Sequence, residues 1–200
     1  MIAPDLSYFD ALYAGSDDPW SMQARWYERR KRALVMASLP RQRYARIFEP
    51  GCGAGHLTVL LAGRCERLLA TDFSADAVRL ARLRLQHAAH VEVQQRHAPR
   101  DWPAERFDLV VLSEFAFYLD DAELALLQQR SLAALDDDGV LLACHWRRPF
   151  ADRIQDSDAI HAWFDREPAL TRLSHHEEAD FLLDVWGRQP LSVAQREGFA

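Results

Sequence analysis

Two hundred residues, nearly half of them apolar, are enough to build one domain around a single sizeable core. The formal net charge is −6 and the basic residues are scattered, which argues against nucleic acid or an anionic membrane surface as a partner. No apolar run approaches the roughly 20 residues of a membrane helix, and the opening MIAPDLSYFD lacks the basic start and apolar stretch of a signal peptide.

Residues 1–45 read as helices. Tyr8, Phe9 and Leu12 share one face at helical spacing. After a turn at Gly15–Pro19, a second helix runs from Ser21 to about Ser38, with Trp26, Tyr27, Leu34 and Ala37 on its buried side and Pro40 past its end. Arg29, Arg30, Lys31 and Arg32 lie in this helix beside Glu28 and read as a solvated face. From residue 45 the period changes. Ile47 and Phe48 end a short strand that runs into a glycine-rich turn; His56–Gly63 reads as a helix and Leu68–Thr71 as a buried strand. Ser74 caps a helix carrying Val78, Ala81, Leu85 and Ala88 on one face, with Asp76 in its first turn. Val91 and Val93 mark a third strand and Phe107–Leu112 a fourth. Asp120 and Glu123 form a capping-box pattern for a helix that ends near Asp138–Gly139, and Val140–Cys144 is a fifth strand. Strands alternating with helices imply an α/β fold, a doubly wound and mostly parallel sheet. Leu170–His175 and Phe181–Trp186 are joined too tightly for a parallel crossover, so the sheet ends in an antiparallel hairpin strand.

Cys52, Cys65 and Cys144 show neither CxxC spacing nor a nearby histidine set, which reads as reduced thiols of a cytoplasmic protein. No cluster has metal-ligand spacing, and no metal is expected.

The segment Glu49-Pro50-Gly51-Cys52-Gly53-Ala54-Gly55 follows a strand and precedes a helix. Glycines there allow a sharp turn and close approach of a ligand to the main chain, and helix amides point into the same crevice. Asp72 ends the next strand, where a carboxylate accepts from two ribose hydroxyls. A dinucleotide fingerprint would place its third glycine at His56, which weakens a nicotinamide reading. Glu49 beside the loop suits a cationic nucleotide, S-adenosylmethionine, better than a pyrophosphate.

These residues carry a family likeness. EPGCGAG at 49–55 with Asp72 resembles the first two motifs of class I S-adenosylmethionine-dependent methyltransferases. DPW at 18–20, YERRK at 27–31, EPGCGAGHLT at 49–58, FDLVVLSEFAFYL at 107–119 and CHWR at 144–147 resemble nodulation protein S-type methyltransferases across nearly the whole chain. The resemblance implies a seven-stranded sheet, a single domain over 1–200, and an N-terminal helical cap (1–45) over a Rossmann-like core (46–200). It also implies methyl transfer from S-adenosylmethionine, leaving S-adenosylhomocysteine, to a small-molecule acceptor. The namesake N-methylates a deacetylated chitooligosaccharide, so an amino sugar or similar amine is the expected class.

The expected cofactor set is Trp20, Tyr27, Lys31, Glu49, Gly51, Cys52, Gly53, Asp72, Phe73, His97, Ala98 and Ser113. Trp20 either covers the sulfonium or adenine or anchors the cap on the core. Tyr27 and Lys31, one turn apart, either grip the cofactor's carboxylate or belong to a plain amphipathic helix. His97 stands where such enzymes often have an acidic adenine contact; a neutral imidazole nitrogen accepts one hydrogen bond, or the residue is an exposed loop histidine. Glu114 and Tyr118 follow the fourth strand and His145 and Trp146 end the fifth, which puts them in the reaction crevice. His145 is the expected base with Glu114 second, and Tyr118 completes the catalytic set; a structural histidine is the other reading of His145. His175 and His176 read as surface residues. Two rival readings stay open: a non-catalytic S-adenosylmethionine-binding regulator or scaffold, and a nicotinamide-dependent oxidoreductase.

Overall fold

Apolar residues alternate with period two along the central strands, and the alternation sorts them onto two faces. Ile47, Leu68, Leu109, Val111 and Leu142 point into one buried layer, and Phe48, Leu69, Val110, Leu112 and Leu141 into the other. A sheet apolar on both faces must be covered on both. The computed structural model describes residues 6–199, with side chains from Tyr8 onward. Its seven strands are β1 (Tyr44–Pro50), β2 (Cys65–Asp72), β3 (Val91–Gln95), β4 (Phe107–Ser113), β5 (Leu135–Trp146), β6 (Thr171–Glu177) and β7 (Phe181–Gly187). They lie in the order β3-β2-β1-β4-β5-β7-β6. The first five are parallel, and β7 runs antiparallel between β5 and β6.

The helices are α1 (Leu6–Gly15), α2 (Trp26–Ser38), α3 (Thr58–Ala62), α4 (Ala75–Arg84), α5 (Asp121–Ala134), α6 (Ser157–Asp165) and α7 (Val193–Arg196). Residues of α2, α3 and α4 join one apolar layer, and residues of α5 and α6 the other. Ser74 caps α4 by accepting from the Ala77 amide, and Asp120 caps α5 by accepting from the Glu123 amide at 2.8 Å. The Glu123 side chain pairs with Arg100 at 2.7 Å. Sheet order reverses between β1 and β4, and a crevice opens beyond their carboxyl ends.

Three expectations need correction. The buried side of α2 is Glu28, Lys31, Arg32 and Val35, while Trp26 is 68% exposed and Ala37 faces solvent. The basic cluster is therefore not a solvated face; only Arg29 of the four is exposed. Glu28 and Lys31 are buried as a pair, and Arg32 donates to the Met22 carbonyl at 2.8 Å. Secondly, α5 ends at Ala134 and β5 begins at Leu135, which pairs with Phe107. The acidic run Asp136–Asp138 then forms an irregularity in the strand, tied down by Arg46, Arg106, Arg41 and Arg196. Thirdly, α6 was not foreseen, although Asp156 caps it by accepting from the Ala159 amide and Ile160 and Phe164 supply its buried face.

Candidate active site

Gly51, Gly53 and Gly55 all have positive φ, +70°, +53° and +79°, a conformation that side chains disfavour. The turn they make is pinned to β2. The Cys52 amide donates to the Thr71 carbonyl at 3.0 Å, and the Gly53 amide donates to Asp72 Oδ2 at 2.8 Å. Asp72 Oδ1 accepts from the Ser74 amide at 3.0 Å, so one carboxylate fastens both the loop and the start of α4. A Cβ on Gly51 would lie 2.9 Å from Cγ of Phe115, so a side chain there would press on that ring.

These elements form the floor of a cavity of about 560 Å³. Glu49, at the end of β1, lines it while only 2% exposed, and its Oε2 has no hydrogen-bond partner. Burial, with the nearby Asp72 charge adding to it, pushes the Glu49 carboxyl up to about 8. Burial also raises Asp72, while its backbone N–H bonds pull the other way. Helix α1 covers the cavity. Phe9 meets Phe73 and Tyr118 edge-on at 5.0 and 5.2 Å, and Tyr13 meets Trp20 at 5.7 Å. The Tyr8 hydroxyl donates to Asp152 Oδ2 at 2.6 Å, and the Ser74 hydroxyl to Asp10 Oδ1 at 3.2 Å, so the cap is latched on two sides. His97 and Ala98 line the cavity after β3; the His97 ring lies against Phe73, and its Nδ1 is buried without a partner.

At the carboxyl end of β4 the chain turns through Glu114 at φ +59°. Lys31 Nζ lies 2.7 Å from Glu114 Oε1 and 3.1 Å from Glu28 Oε1, and the Trp146 amide donates to Glu114 Oε2 at 2.9 Å. Glu28, Lys31, Glu114, Tyr118 and Trp146 all line the cavity. Burial raises the Tyr118 phenol well above its ordinary range, so it stays protonated and can donate.

The cavity thus gathers Trp20, Lys31, Glu49, Gly51, Cys52, Gly53, Asp72, Phe73, His97, Ala98, Ser113, Glu114 and Tyr118 from the expected sets. Two expected residues lie elsewhere. Tyr27 is not in the wall; its ring sits edge-on to Trp146 at 5.7 Å and under Lys31 Nζ at 5.0 Å. His145 does not face the crevice. Period-two alternation turns it to the opposite side of β5 from Trp146, where it is fully buried behind Phe117. There its Nδ1 meets His161 Nε2, not a backbone carbonyl, and burial with the nearby His161 holds it well below the ordinary histidine range. His175 is a surface residue that also reaches inward, to Asp184 at 2.7 Å. Sequence reading missed Tyr8, Asp152 and Glu28 as wall residues. Only Glu28 carried a signal, its helical spacing to Lys31.

The family model of nodulation protein S (NodS) matches residues 12–147. Nodulation protein S of Rhizobium tropici is 33% identical over 129 residues, covering 64% of this chain and 54% of that protein. The matched region spans about half the length of the curated nodulation S relatives. Among solved structures, a candidate methyltransferase from Pseudomonas syringae is 51% identical with a TM-score of 0.73, covering 82% of this chain and 99% of that one. The N-methyltransferase NodS of Bradyrhizobium japonicum WM9, in complex with S-adenosylhomocysteine, has a TM-score of 0.76 at 24% identity. It covers 92% of this chain and 98% of that one, and shares the fold.

Proposed function

The chain belongs to the nodulation protein S family, and from that premise we propose that it is an S-adenosylmethionine-dependent methyltransferase that methylates a nitrogen of a small-molecule amine. One arrangement carries the reading: two buried carboxylates, Glu49 and Asp72, flank a loop of left-handed glycines at the switch point of the sheet.

The residues present fit that cofactor. A wall with Glu49 Oε2 unpartnered suits a cationic ammonium, which favours the ionised carboxyl, better than a pyrophosphate, which disfavours it. Asp72 accepts from backbone N–H groups including those of Gly53 and Ser74, and its carboxylate still has acceptor capacity for a ribose hydroxyl. The partnerless Nδ1 of His97 suits the adenine amino group as an acceptor, and the Ala98 amide lies beside it. Trp20 and Phe73 supply apolar walls. When bound, S-adenosylmethionine supplies a methyl carbon already activated by its sulfonium.

The protein's own task is then to bind, orient and exclude water. Alignment of reacting groups contributes on the order of 7–11 kcal/mol. Phe9, Trp20 and Tyr118 close the top of the cavity. Glu114, with Lys31 on one oxygen and the Trp146 amide on the other, is suited to orient a nitrogen through an N–H···O bond. Tyr118 donates a hydrogen bond to the acceptor. His145 lies outside the cavity and is not assigned the base. An amino sugar falls within this amine class. The three free cysteines are all buried, which supports a reducing, cytoplasmic setting. Among the described residues no helix is long and apolar enough to cross a membrane.

Calorimetry with S-adenosylhomocysteine, followed by transfer from labelled S-adenosylmethionine to small amines, tests the reading. Binding and label in an amine are expected. Absence of binding would end it, and label in hydroxyl compounds alone would move the methylated atom from nitrogen to oxygen.

A further inference from the structure

A nitrogen that takes a methyl group must bring an unprotonated lone pair, and the acceptor end of the cavity is poorly equipped to free one. His145 lies behind Phe117, outside the cavity. Of the histidines in the wall, His97 stands at the adenine end, and burial with Arg84 nearby holds His56 down to about 4. Glu49 faces the cofactor's ammonium. Glu114 accepts from Lys31 Nζ at 2.7 Å and from the Trp146 amide at 2.9 Å, and taking up a proton would give up that ion pair. Glu28 shares the same Lys31 and has Arg32 one turn along the helix. An alkylammonium and an ordinary carboxylate differ roughly a millionfold in proton affinity, so carboxylates are badly matched to deprotonating an alkylamine.

Aromatic rings build the same end. Tyr118 meets Phe9, Phe117 and Phe150 edge-on at 5.2, 4.7 and 5.7 Å, and Phe117 meets Phe150 at 5.2 Å. Trp146 lines the wall beside them. Such rings favour a flat aromatic guest in offset or edge-to-face contact. They also suit the C–H face of a sugar, but a sugar brings hydroxyls around its rim. Polar groups here are largely spent on one another: Lys31 with Glu114 and Glu28, and Tyr8 with Asp152 at 2.6 Å. Each buried hydroxyl left unmatched costs about five- to hundredfold in affinity. The cavity of about 560 Å³ must hold cofactor and acceptor together, a volume that ordinarily serves one drug-sized ligand. The acceptor is therefore about one ring in size.

We propose that the acceptor is an arylamine, an amino group on a single flat aromatic ring, and that Phe117, Tyr118 and Phe150 select it over alkylamines and amino sugars. Its nitrogen is neutral at pH 7 because the ring shares its lone pair, so no base is needed before transfer. One N–H donates to Glu114, whose oxygens each keep acceptor capacity, and this turns the nitrogen toward the methyl carbon. The nitrogen lone pair forms the new N–C bond while the C–S bond breaks with its electrons left on sulfur. The product then carries one proton too many and, as a weakly held arylammonium proton, it passes to water. The inference narrows the methyltransferase reading above and rests on it.

The test is titration of the protein saturated with S-adenosylhomocysteine, using rings matched in size. Aniline is set against cyclohexylamine, 4-aminophenol against trans-4-aminocyclohexanol, and all four against glucosamine. At least one aromatic member should bind about tenfold or more tighter than its saturated partner and than glucosamine. Its methylation at saturating S-adenosylmethionine should be flat between pH 7 and 9, whereas a protonated alkylamine would gain about tenfold per pH unit. Phe150→Leu should weaken the aromatic amine about two- to tenfold, the worth of one aromatic contact, and leave S-adenosylhomocysteine affinity within about twofold. The wild-type comparison stands whether or not that variant folds. Equal or tighter binding of a saturated amine or glucosamine overturns the inference, and so does a rate that climbs with pH. Binding of S-adenosylhomocysteine with no aromatic amine bound overturns it too, as does a folded Phe150→Leu variant with unchanged amine affinity. Failure of the wild type to bind S-adenosylhomocysteine at all is a different outcome and strikes the functional reading itself.

Discussion

Nδ1 of His145 lies 2.9 Å from Nε2 of His161, and both rings are buried. His161 Nδ1 lies 2.7 Å from Asp184 Oδ2. The hydrogen bonds from His161 and His175 hold Asp184 below the usual carboxylate range, so it is an acceptor. His161 donates to it from Nδ1, and of the facing His161 Nε2 and His145 Nδ1 one donates and the other accepts. The chain of contacts ties α6 to β5 and β7. A histidine held neutral this way takes up no proton in the native state near pH 6.5, whereas in the unfolded chain it does. The sign follows: its contribution to stability is present above pH 6.5 and is lost as pH falls below that value. His145→Ala should destabilise by about 1–3 kcal/mol, since it strands the buried His161 Nε2. It should also flatten the acid side of the stability profile and leave S-adenosylhomocysteine affinity unchanged. Denaturant melts between pH 5 and 8 give the answer; a variant of full stability that loses turnover would restore His145 to the reaction.

Glu49 offers a proton-linked readout of cofactor binding. Its carboxyl sits at about 8 in the ligand-free protein, so it is mostly protonated at pH 7. An ammonium placed against it favours the ionised form and expels that proton. S-adenosylhomocysteine affinity should therefore rise with pH from about 6 to 8 and level off above. Calorimetry in buffers of different ionisation enthalpy should show proton release. The same raised value means native stability falls as pH climbs from 4.5 toward 8, because only the native carboxyl keeps its proton there. Glu49→Gln should remove both slopes. A pH-independent affinity in the wild type would detach Glu49 from the ligand.

Asp72 does two jobs, and its variants should separate them. Asp72→Ala removes acceptors from the Gly53 and Ser74 amides as well as from any ribose. Each stranded donor costs about 1–3 kcal/mol, so stability should drop together with affinity. Asp72→Asn keeps one carbonyl oxygen and should lose less stability than affinity. Melting curves and calorimetry on both variants make the comparison; an Asn variant with full affinity would leave Asp72 as a loop staple only.

Much of this site was legible because its signals are local. The Glu49–Gly55 loop, Asp72 and the end of β4 each sit where a period-two strand stops, and a parallel sheet brings such ends together. The buried face of α2 was not legible, because Glu28 and Lys31 look like surface charges until Glu114, far along the chain, is placed beside them. His145 was misplaced for a similar reason. Its position at the end of β5 was read correctly, but not which face of the strand it occupies, and its partners come from α6 and β7. The Asp136–Asp138 irregularity in β5 depends on arginines from four other places in the chain.

The cap should open by breaking the Tyr8–Asp152 bond, which joins α1 to the segment after β5. Residues 1–5 lie outside the described residues, so the response of the expected cap (1–45) is tested on α1 and the Trp20 segment. Tyr8→Phe should speed amide exchange across Phe9–Gly15, and S-adenosylhomocysteine should slow it in the wild type. Equal protection with and without ligand would mean that the cap does not respond to the site.

Gly51 and Gly53 share a left-handed backbone but differ in what a side chain would strike. A Cβ at Gly51 lands 2.9 Å from the Phe115 ring, which itself lines the cavity. At Gly53 the nearest atom is the Tyr13 hydroxyl at 3.3 Å, the end of a side chain that can shift. Both Ala variants carry the left-handed penalty of roughly 1–2 kcal/mol. Only Gly51→Ala must also move a ring, and that ring is part of the cavity wall. Gly51→Val adds a branched side chain, which is stiff and disfavours that backbone further. The expected order of S-adenosylhomocysteine affinity is wild type, then Gly53→Ala, then Gly51→Ala, with Gly51→Val showing no binding. Melting temperatures on the same samples separate a collapsed loop from a blocked cavity. If Gly51→Val binds normally while folded, Phe115 does not border the ligand, and the glycines serve only the turn.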